Sequence, residues 1–285
     1  MLFKSCLAAG MLASGAVAGA IKGRSGRCAA EPATQQQLDE ARQFGILEAE
    51  LLSTGGPIHK APVEVNVYLH SVSNTPKGLL SDAALHKQFQ VLAADFEPVG
   101  FHMKLGGITK NVNKRWSDWT KFYDDLDMQK HLRNGTYQDL NLYFVDKVDG
   151  MEDLGVCRFP MSTSRGSDDY FRDGCFIQSG TVPGGSQPPQ FNLGKTATHE
   201  TGHWLGLLHT FEGGCSNPGD GVADTPAQES STSGCPAKRD SCPKMPGLDP
   251  IHNYMDYSDD SCYQGFTRGQ TARMHSMWNR YRAGK

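Results

Sequence analysis

The sequence predicts a mixed α+β fold, and three observations support this prediction. From Val63, the segment VEVNVYLHSV alternates apolar and polar side chains, which is the pattern of a half-buried strand. The segment Leu140–Val148, LNLYFVDKV, is apolar enough for a central strand. Segments with helical signals lie before, between and after these strands, so that helices and a sheet are expected to share one fold.

The remaining elements are predicted from similar signals. A further strand is expected at Val99–Ile108, and a short one at Gly174–Gln178, where flanking Gly and Pro suit the edge of a sheet. Four helices are predicted: an amphipathic stretch at Leu38–Leu52, a helix from the N-cap Ser81 to about Phe96, and helices at Asn192–Leu208 and Thr267–Tyr281.

The first twenty residues are typical of a secretory signal peptide. Lys4 precedes a short run of apolar and small residues, and small residues at Ala16, Ala18 and Ala20 place cleavage at about residues 18–20. The run is too short for a membrane-spanning helix. A net charge of −3 and a pI near 6.4 give no reason to expect nucleic acid or an anionic membrane as a partner. Residues 21–60 are interpreted as a pro-segment or an N-terminal extension.

Secretion makes the cysteine count informative. Of the eight cysteines, Cys6 would leave with the signal peptide, and seven would remain. Six are expected to pair in an oxidising compartment, which leaves one over, and sequence alone allows 15 pairings of six. The sequon at Asn134 is a candidate glycosylation site on a turn.

The segment Thr198–Thr210, THETGHWLGLLHT, contains the pattern HExxH. On an α-helix, His199 and His203 share one face about 6 Å apart and can bind one ion. Glu200 then points beside the ion, where it can act as a general base.

His209 does not fit a continuous helix, because it would lie about 15 Å along the axis from His199. Gly206 resolves this, since a glycine can end the helix and turn the chain back towards the ion. The competing interpretation is three structural histidines. Three neutral imidazoles with an open coordination position favour zinc, whose bound water loses a proton to Glu200. The remaining hydroxide would attack a carbonyl polarised by the ion, and Glu200 would pass the proton to the leaving amine. That reaction is amide hydrolysis.

HETGHWLGLLH resembles the HExxHxxGxxH signature of the metzincin metallopeptidases, and HNYMDY (residues 252–257) is similar to their Met turn. HTFEGGCSNPGDGVADTPAQ and NYMDYSDDSC more narrowly resemble the pappalysin family, which includes secreted fungal metalloproteases. The resemblance covers about Val63 to Tyr281.

The resemblance implies a two-lobed zinc peptidase at residues 61–285. The upper lobe (61–208) would contain a twisted mixed sheet, a backing helix and the active-site helix. The lower lobe (209–285) would be irregular and disulfide-tied, with the Met turn and a C-terminal helix. An edge strand around Phe176–Ser179 would pair with substrate. Met255 would form an apolar floor, and Tyr257 would stabilise the tetrahedral intermediate, unless it is ordinary core packing.

Further site residues are implied by the same resemblance. Asp260 would favour a basic residue after the cut, although a solvated surface Asp is equally expected. Calcium is implied at Asp220, Asp224 and Thr225, where a plain turn is the alternative. The implied disulfides are Cys215–Cys242, Cys235–Cys262 and Cys157–Cys175.

Cys28 remains, next to Arg24 and Arg27. Metzincin families with a pro-segment cysteine suggest that Cys28 caps the zinc until the segment is cut near one of these arginines. Those families often have Cys-Gly-Thr, whereas this chain has Cys-Ala-Ala. An idle thiol or an intermolecular disulfide is the alternative.

The sequence therefore predicts a secreted, monomeric zinc endopeptidase that hydrolyses extracellular proteins for broad degradation and nutrient assimilation. Its partners would be protein or peptide substrates, not nucleic acid or membranes. The alternatives are a processing protease of narrow specificity and an inactive zinc-containing binding protein. The presence of Glu200 argues against the inactive form.

Overall fold

The computed structural model describes residues 27–28, 33–58, 61–120, 126–149, 153–216 and 218–285. The predicted signal peptide, Arg24 and Cys6 lie outside these residues. Within these residues there are seven strands: β1 (Val63–Ser73), β2 (Phe101–Val112), β3 (Asp118–Trp119), β4 (Leu140–Val145), β5 (Lys147–Val148), β6 (Gly155–Cys157) and β7 (Cys175–Gln178). The helices are α1 (Gln35–Ser53), α2 (Asp82–Phe96), α3 (Leu126–Leu132), α4 (Asp168–Arg172), α5 (Lys195–Trp204) and α6 (Arg268–Met277).

Five strands form the main sheet in the order β2-β1-β4-β7-β6. The first four are parallel, and β6 pairs antiparallel with β7. The prediction that the strand around Phe176–Ser179 lies at the edge of the sheet was wrong. This strand, β7, lies between β4 and β6, and β6 forms the edge. A separate two-stranded sheet joins β3 and β5, which the sequence did not predict.

The main core lies between one face of the sheet and helices α2, α5 and α6. Alternate residues of β1 and β4, such as Val67 and Phe144, are fully buried there together with Trp204 of α5 and Met274 of α6. The opposite face carries a smaller core with α3, which includes Tyr143. Burial on both faces explains why β4 is apolar except at Asn141, whose buried side chain hydrogen-bonds to His70.

Helix boundaries follow local signals. The Ser81 hydroxyl accepts a hydrogen bond from Ala84 N, as expected of the predicted N-cap of α2. Thr267 and Gln270 form a capping box at the start of α6, and a π-helical turn, Trp278–Arg282, continues that helix. The predicted helix at Asn192–Leu208 is shorter than expected and spans only Lys195–Trp204.

The segment interpreted as a pro-segment contributes α1 to the packed structure. Glu48 of α1 and Arg273 of α6 form an ion pair that leaves the two residues 4% and 0% exposed. Arg273 also donates hydrogen bonds to the carbonyls of Ala41 and Gly221. Because Arg273 links α1 to the loops below the sheet, α1 is part of the folded body rather than a loose extension.

Three disulfides connect the chain in the pairs that the resemblance implies. Cys157–Cys175 joins β6 to β7, while Cys215–Cys242 and Cys235–Cys262 cross-link the region between α5 and α6. Among the described cysteines, Cys28 lies outside these disulfides and is buried.

Candidate active site

The end of α5 brings three histidines together. The helix ends at Trp204, and Gly206 has a φ of 90°, which favours glycine. A Cβ at this position would also lie 2.5 Å from the Cγ atom of Met277. The chain therefore turns back here, as the sequence predicts, and returns His209 to the face of the helix that carries His199 and His203.

The imidazoles converge through their Nε2 atoms. The Nε2 atom of His203 lies 3.2 Å from that of His199 and 3.1 Å from that of His209. The opposite ring nitrogens, Nδ1, lie 2.7 Å from the Tyr254 carbonyl for His199 and 2.8 Å from the Leu207 carbonyl for His203. Because a carbonyl can only accept, both Nδ1 atoms carry the proton, and both Nε2 atoms present lone pairs.

This donor set fits a zinc ion. Two lone pairs cannot bond to each other, so their close approach calls for a cation between them. Tetrahedral zinc with N–Zn bonds of 2.0–2.1 Å separates its nitrogen ligands by roughly 3.3 Å, close to the separations observed. Burial lowers the pKa of His203 to about 4, and burial together with His203 lowers the pKa of His199 well below its usual value. Both rings are therefore neutral, as metal ligands must be.

Glu200 lies between this cluster and the edge strand. It is fully buried, and a Cβ on Gly155 of β6 would lie 2.7 Å from its Cγ atom. Burial raises the pKa of Glu200 to about 8, Cys28 opposes the shift, and Asp153 adds to it. A carboxyl that titrates near neutrality suits a general base.

The Met turn lies beneath the histidines. Met255 is fully buried, and a Cβ on Gly202 of α5 would overlap its sulfur atom. The Tyr257 hydroxyl lies 3.1 Å from Nε2 of His209. Burial, followed by Cys28 and Glu200, raises the pKa of Tyr257 well above its usual value, so its phenol remains a proton donor.

Residues 27 and 28 lie across the site. The Cys28 Sγ atom and one ring nitrogen of each of the three histidines are all within 4.8 Å of one another. Cys28 also forms a parallel β-bridge with Gly155 of the edge strand. The guanidinium of Arg27 binds the buried carboxylate of Asp260 and lies 4.6 Å from the centre of the Phe191 ring.

The other predicted site residues lie elsewhere. Asp220 is buried below α1, and its Oδ1 accepts from Val222 N. Its Oδ2 and the Thr225 hydroxyl are buried close together without a hydrogen bond of normal geometry. Asp224 instead binds the first turn of α6 through Thr267 and Gly269. Asn134 is exposed in the loop between α3 and β4, and its side-chain amide donates to the Leu132 carbonyl.

Sequence reasoning missed several residues of the site. The pairing of Arg27 with Asp260 spans more than two hundred residues, and no local pattern announces it. Gly155 gave no signal either. Gly202 did: a glycine between two histidines on one helix indicates that something approaches closely there, and that neighbour is Met255.

Comparisons with known proteins agree with this geometry. The Peptidase_M43 profile, described as pregnancy-associated plasma protein-A, matches residues 124–279. An extracellular metalloprotease of Podospora anserina is 47% identical, with 99% of each chain covered, and one of Pyricularia oryzae is 48% identical over 91% of this chain and 90% of its own. Mature mirolysin of Tannerella forsythia, solved in complex with a cleaved peptide, is 28% identical with a TM-score of 0.64, covering 77% of this chain and 93% of its own.

The fold and the site define the class as metzincin, and the chain belongs to the pappalysin family of metallopeptidases. It is a zinc-dependent metalloendopeptidase that acts on proteins or peptides. Its fungal relatives are named as extracellular enzymes. Among the described residues, every helix is too short or too polar to cross a bilayer.

Proposed function

We propose that this chain is a secreted zinc endopeptidase that hydrolyses peptide bonds of extracellular proteins, with Glu200 as general base. The observation that supports the proposal most directly is the convergence of three histidine Nε2 atoms beside a buried carboxyl. His199, His203 and His209 would hold the ion.

Each residue has a separate role in this reaction. Zinc, when bound, supplies a Lewis acid that polarises the scissile carbonyl and lowers the pKa of water. Glu200 takes a proton from the attacking water and later passes it to the leaving amine. The Tyr257 phenol donates a hydrogen bond to the oxygen that becomes negative in the tetrahedral intermediate. Met255 forms an apolar surface beneath the histidines, and Gly202 allows the active-site helix to approach Met255 closely.

Digestion of casein tests this mechanism. Glu200→Gln is expected to lower kcat/KM by at least about 100-fold while the protein retains its zinc content. The control Glu64→Gln, on the exposed side of β1, is expected to match the wild type. A zinc chelator should abolish activity, and added zinc should restore it. Activity that survives both the substitution and the chelator would refute the proposed mechanism.

Substrate selection is proposed to depend on Asp260. Its buried carboxylate binds the Arg27 guanidinium beside an aromatic ring, which supports a preference for Lys or Arg after the scissile bond. Basic residues occur in nearly all proteins, so a protease that selects only for Lys or Arg after the scissile bond would cut most of them. This supports a role in broad degradation and nutrient assimilation. Peptide mapping of the digest should show basic residues after most cuts, and Asp260→Asn should remove that preference. A wild-type digest without the preference would contradict the role of Asp260.

Latency is proposed to depend on Cys28, whose thiol would complete the coordination of zinc and exclude water. Cys28→Ser should give activity in the uncut precursor, because a hydroxyl is a much weaker zinc ligand than a thiolate. Arg27→Gln, which keeps the thiol and removes the guanidinium that binds Asp260 and lies over the Phe191 ring, is expected to give a smaller effect. Unchanged latency of Cys28→Ser would contradict the switch.

Calcium binding is proposed at Asp220 and Thr225, because Oδ2 of Asp220 and the Thr225 hydroxyl are buried without a normal hydrogen bond. Asp224 contributes less to this site, since its carboxylate is already bound to α6. Calcium should raise the melting temperature of the wild type and of Asp224→Asn but not that of Asp220→Asn. Equal shifts in all three proteins would rule out this site.

The chain organisation is also a proposal: a signal peptide at 1–20, a pro-segment at 21–60, an upper lobe at 61–208 and a lower lobe at 209–285. The enzyme is proposed to act as a monomer with a glycan on Asn134, whose exposure supports modification. N-terminal sequencing, mass before and after deglycosylation, and size-exclusion chromatography test these points separately.

A further inference from the structure

We propose that Asp95 is a positioning residue of the zinc site. Its carboxylate, on the last turn of α2, joins the first turn of the active-site helix to the Met turn (residues 252–257). Through both connections it sets the orientation of His199. This inference rests on the proposed zinc site.

The first connection runs to α5. The side chain of Asp95 is only 8% exposed. Its two carboxylate oxygens lie 2.7 and 2.8 Å from the Lys195 ammonium, and Oδ2 also accepts from the Thr198 hydroxyl at 2.7 Å. Lys195 begins α5, and Thr198 immediately precedes His199. Asp95 therefore fixes the turn of the helix that carries the first zinc ligand.

The second connection runs to the Met turn. The Tyr254 hydroxyl donates to Oδ1 of Asp95 at 2.8 Å, and the Tyr254 carbonyl lies 2.7 Å from Nδ1 of His199. The Lys195 ammonium also lies 5.3 Å from the centre of the Tyr254 ring. One anion thus holds both the chain segment that carries His199 and the residue whose carbonyl fixes its tautomer.

The neighbours of residue 95 favour a carboxylate there, because they are three hydrogen-bond donors. All three side chains around Asp95 donate hydrogen bonds, and a carboxylate offers acceptors on both oxygens. An asparagine would turn an NH2 group towards at least one of these donors. Partners that orient metal-binding histidines typically change metal affinity by about 10–100-fold when they are removed.

The competing explanation is that Asp95 only attaches α2 to α5. Two control variants separate the explanations. Leu92→Ala removes a fully buried side chain from the core face of the same helix and leaves the hydrogen-bonding groups of Asp95 and its partners in place. Glu97→Gln removes an exposed carboxylate two residues along the chain, which contacts the His102 ring.

The test measures zinc dissociation from the full-length holoprotein into excess chelator, alongside its melting temperature. Asp95→Asn is expected to release zinc about 10–100-fold faster than the wild type. Leu92→Ala is expected to lower the melting temperature with nearly wild-type zinc release, and Glu97→Gln to change neither. Zinc release by Asp95→Asn at the wild-type rate, or no faster than by Leu92→Ala of equal or lower stability, would overturn the proposal.

Thr198→Val and Tyr254→Phe keep the test decisive if Asp95→Asn does not fold. Each removes one hydrogen bond to Asp95 and retains its bulk, and at least one is expected to speed zinc release several-fold. Wild-type rates in both would overturn the proposal. Failure of the proposed zinc site itself would look different, because the wild type would then bind no zinc.

Discussion

The sheet region (residues 61–204) and the loop region (residues 209–265) reach order in different ways. The sheet region buries long apolar strands against helices, and its central strand β4 is completely buried. The described residues of the loop region before Asp260 contain no helix or strand. Two disulfides and buried polar side chains order it instead. The three histidines proposed to bind zinc lie where the two regions meet, since His199 and His203 belong to the first and His209 to the second.

The polar order of the loop region is concentrated around Gln228 and Asp256. The fully buried Gln228 side chain accepts from the Thr210 hydroxyl and donates to Oδ1 of Asp256. The same oxygen accepts from the backbone N–H of Thr232. These hydrogen bonds order the loop region, as apolar contacts order the sheet region. The two regions are therefore expected to lose stability through different substitutions.

The largest effect is expected in the sheet region. Phe144→Ala removes a fully buried ring from β4 and should lower the free energy of unfolding by about 3–5 kcal/mol, in one cooperative transition. Val112→Ala, at an exposed position of β2, is the control and should change it little. Chemical denaturation measures both. A small loss for Phe144→Ala would mean that the core does not hold this region.

A comparable but local effect is expected in the loop region. Cys215→Ser/Cys242→Ser opens a loop of 27 residues and should destabilise this region by about 3.5 kcal/mol on the chain-entropy account. Limited proteolysis should then cut between these positions while the amide protons of β4 stay protected from exchange. Loss of protection in β4 at the same time would show that the regions unfold together.

A moderate effect is expected from the polar cluster. Gln228→Ala leaves the Thr210 hydroxyl and Asp256 without one partner each and should cost about 1–3 kcal/mol. Gln264→Ala, whose side chain is exposed, is the matched control. Thermal unfolding compares the two. Equal melting temperatures would show that the cluster contributes little to the order of the loops.

The smallest effect is expected at a helix end. Ser81→Ala removes the hydroxyl that caps α2 and should cost about 1 kcal/mol, whereas Ser81→Thr retains the oxygen and should cost less. Denaturation midpoints measure the difference. If the two variants are equally unstable, the cap hydrogen bond is not the cause.

Features with a local cause were predictable from the sequence. The Ser81 cap and the turn at Gly206 depend on neighbouring residues, and both are present in the structure. The alternation in β1 is present as far as Leu69, after which every residue of the strand is buried. The convergence of the three histidines was also predictable, because their spacing is set by one helix and one turn.

Features set by tertiary contacts were not predictable in the same way. The order of strands depends on which segments meet across the chain, so the edge position was assigned to β7 when it belongs to β6. Asp95 reads as an ordinary helix residue until Lys195, Thr198 and Tyr254 surround it. The ion pair of Arg27 with Asp260 could not be predicted from the sequence either, because the two residues are far apart in the chain.

The ion pair between Glu48 and Arg273 has a consequence for maturation. A chain break before Thr34 separates Cys28 from the enzyme and leaves this pair intact. A break after Ser53, followed by loss of α1, would leave the fully buried Arg273 without its counter-ion, which would lower the stability of the protein. The two cuts would therefore yield products of unequal stability.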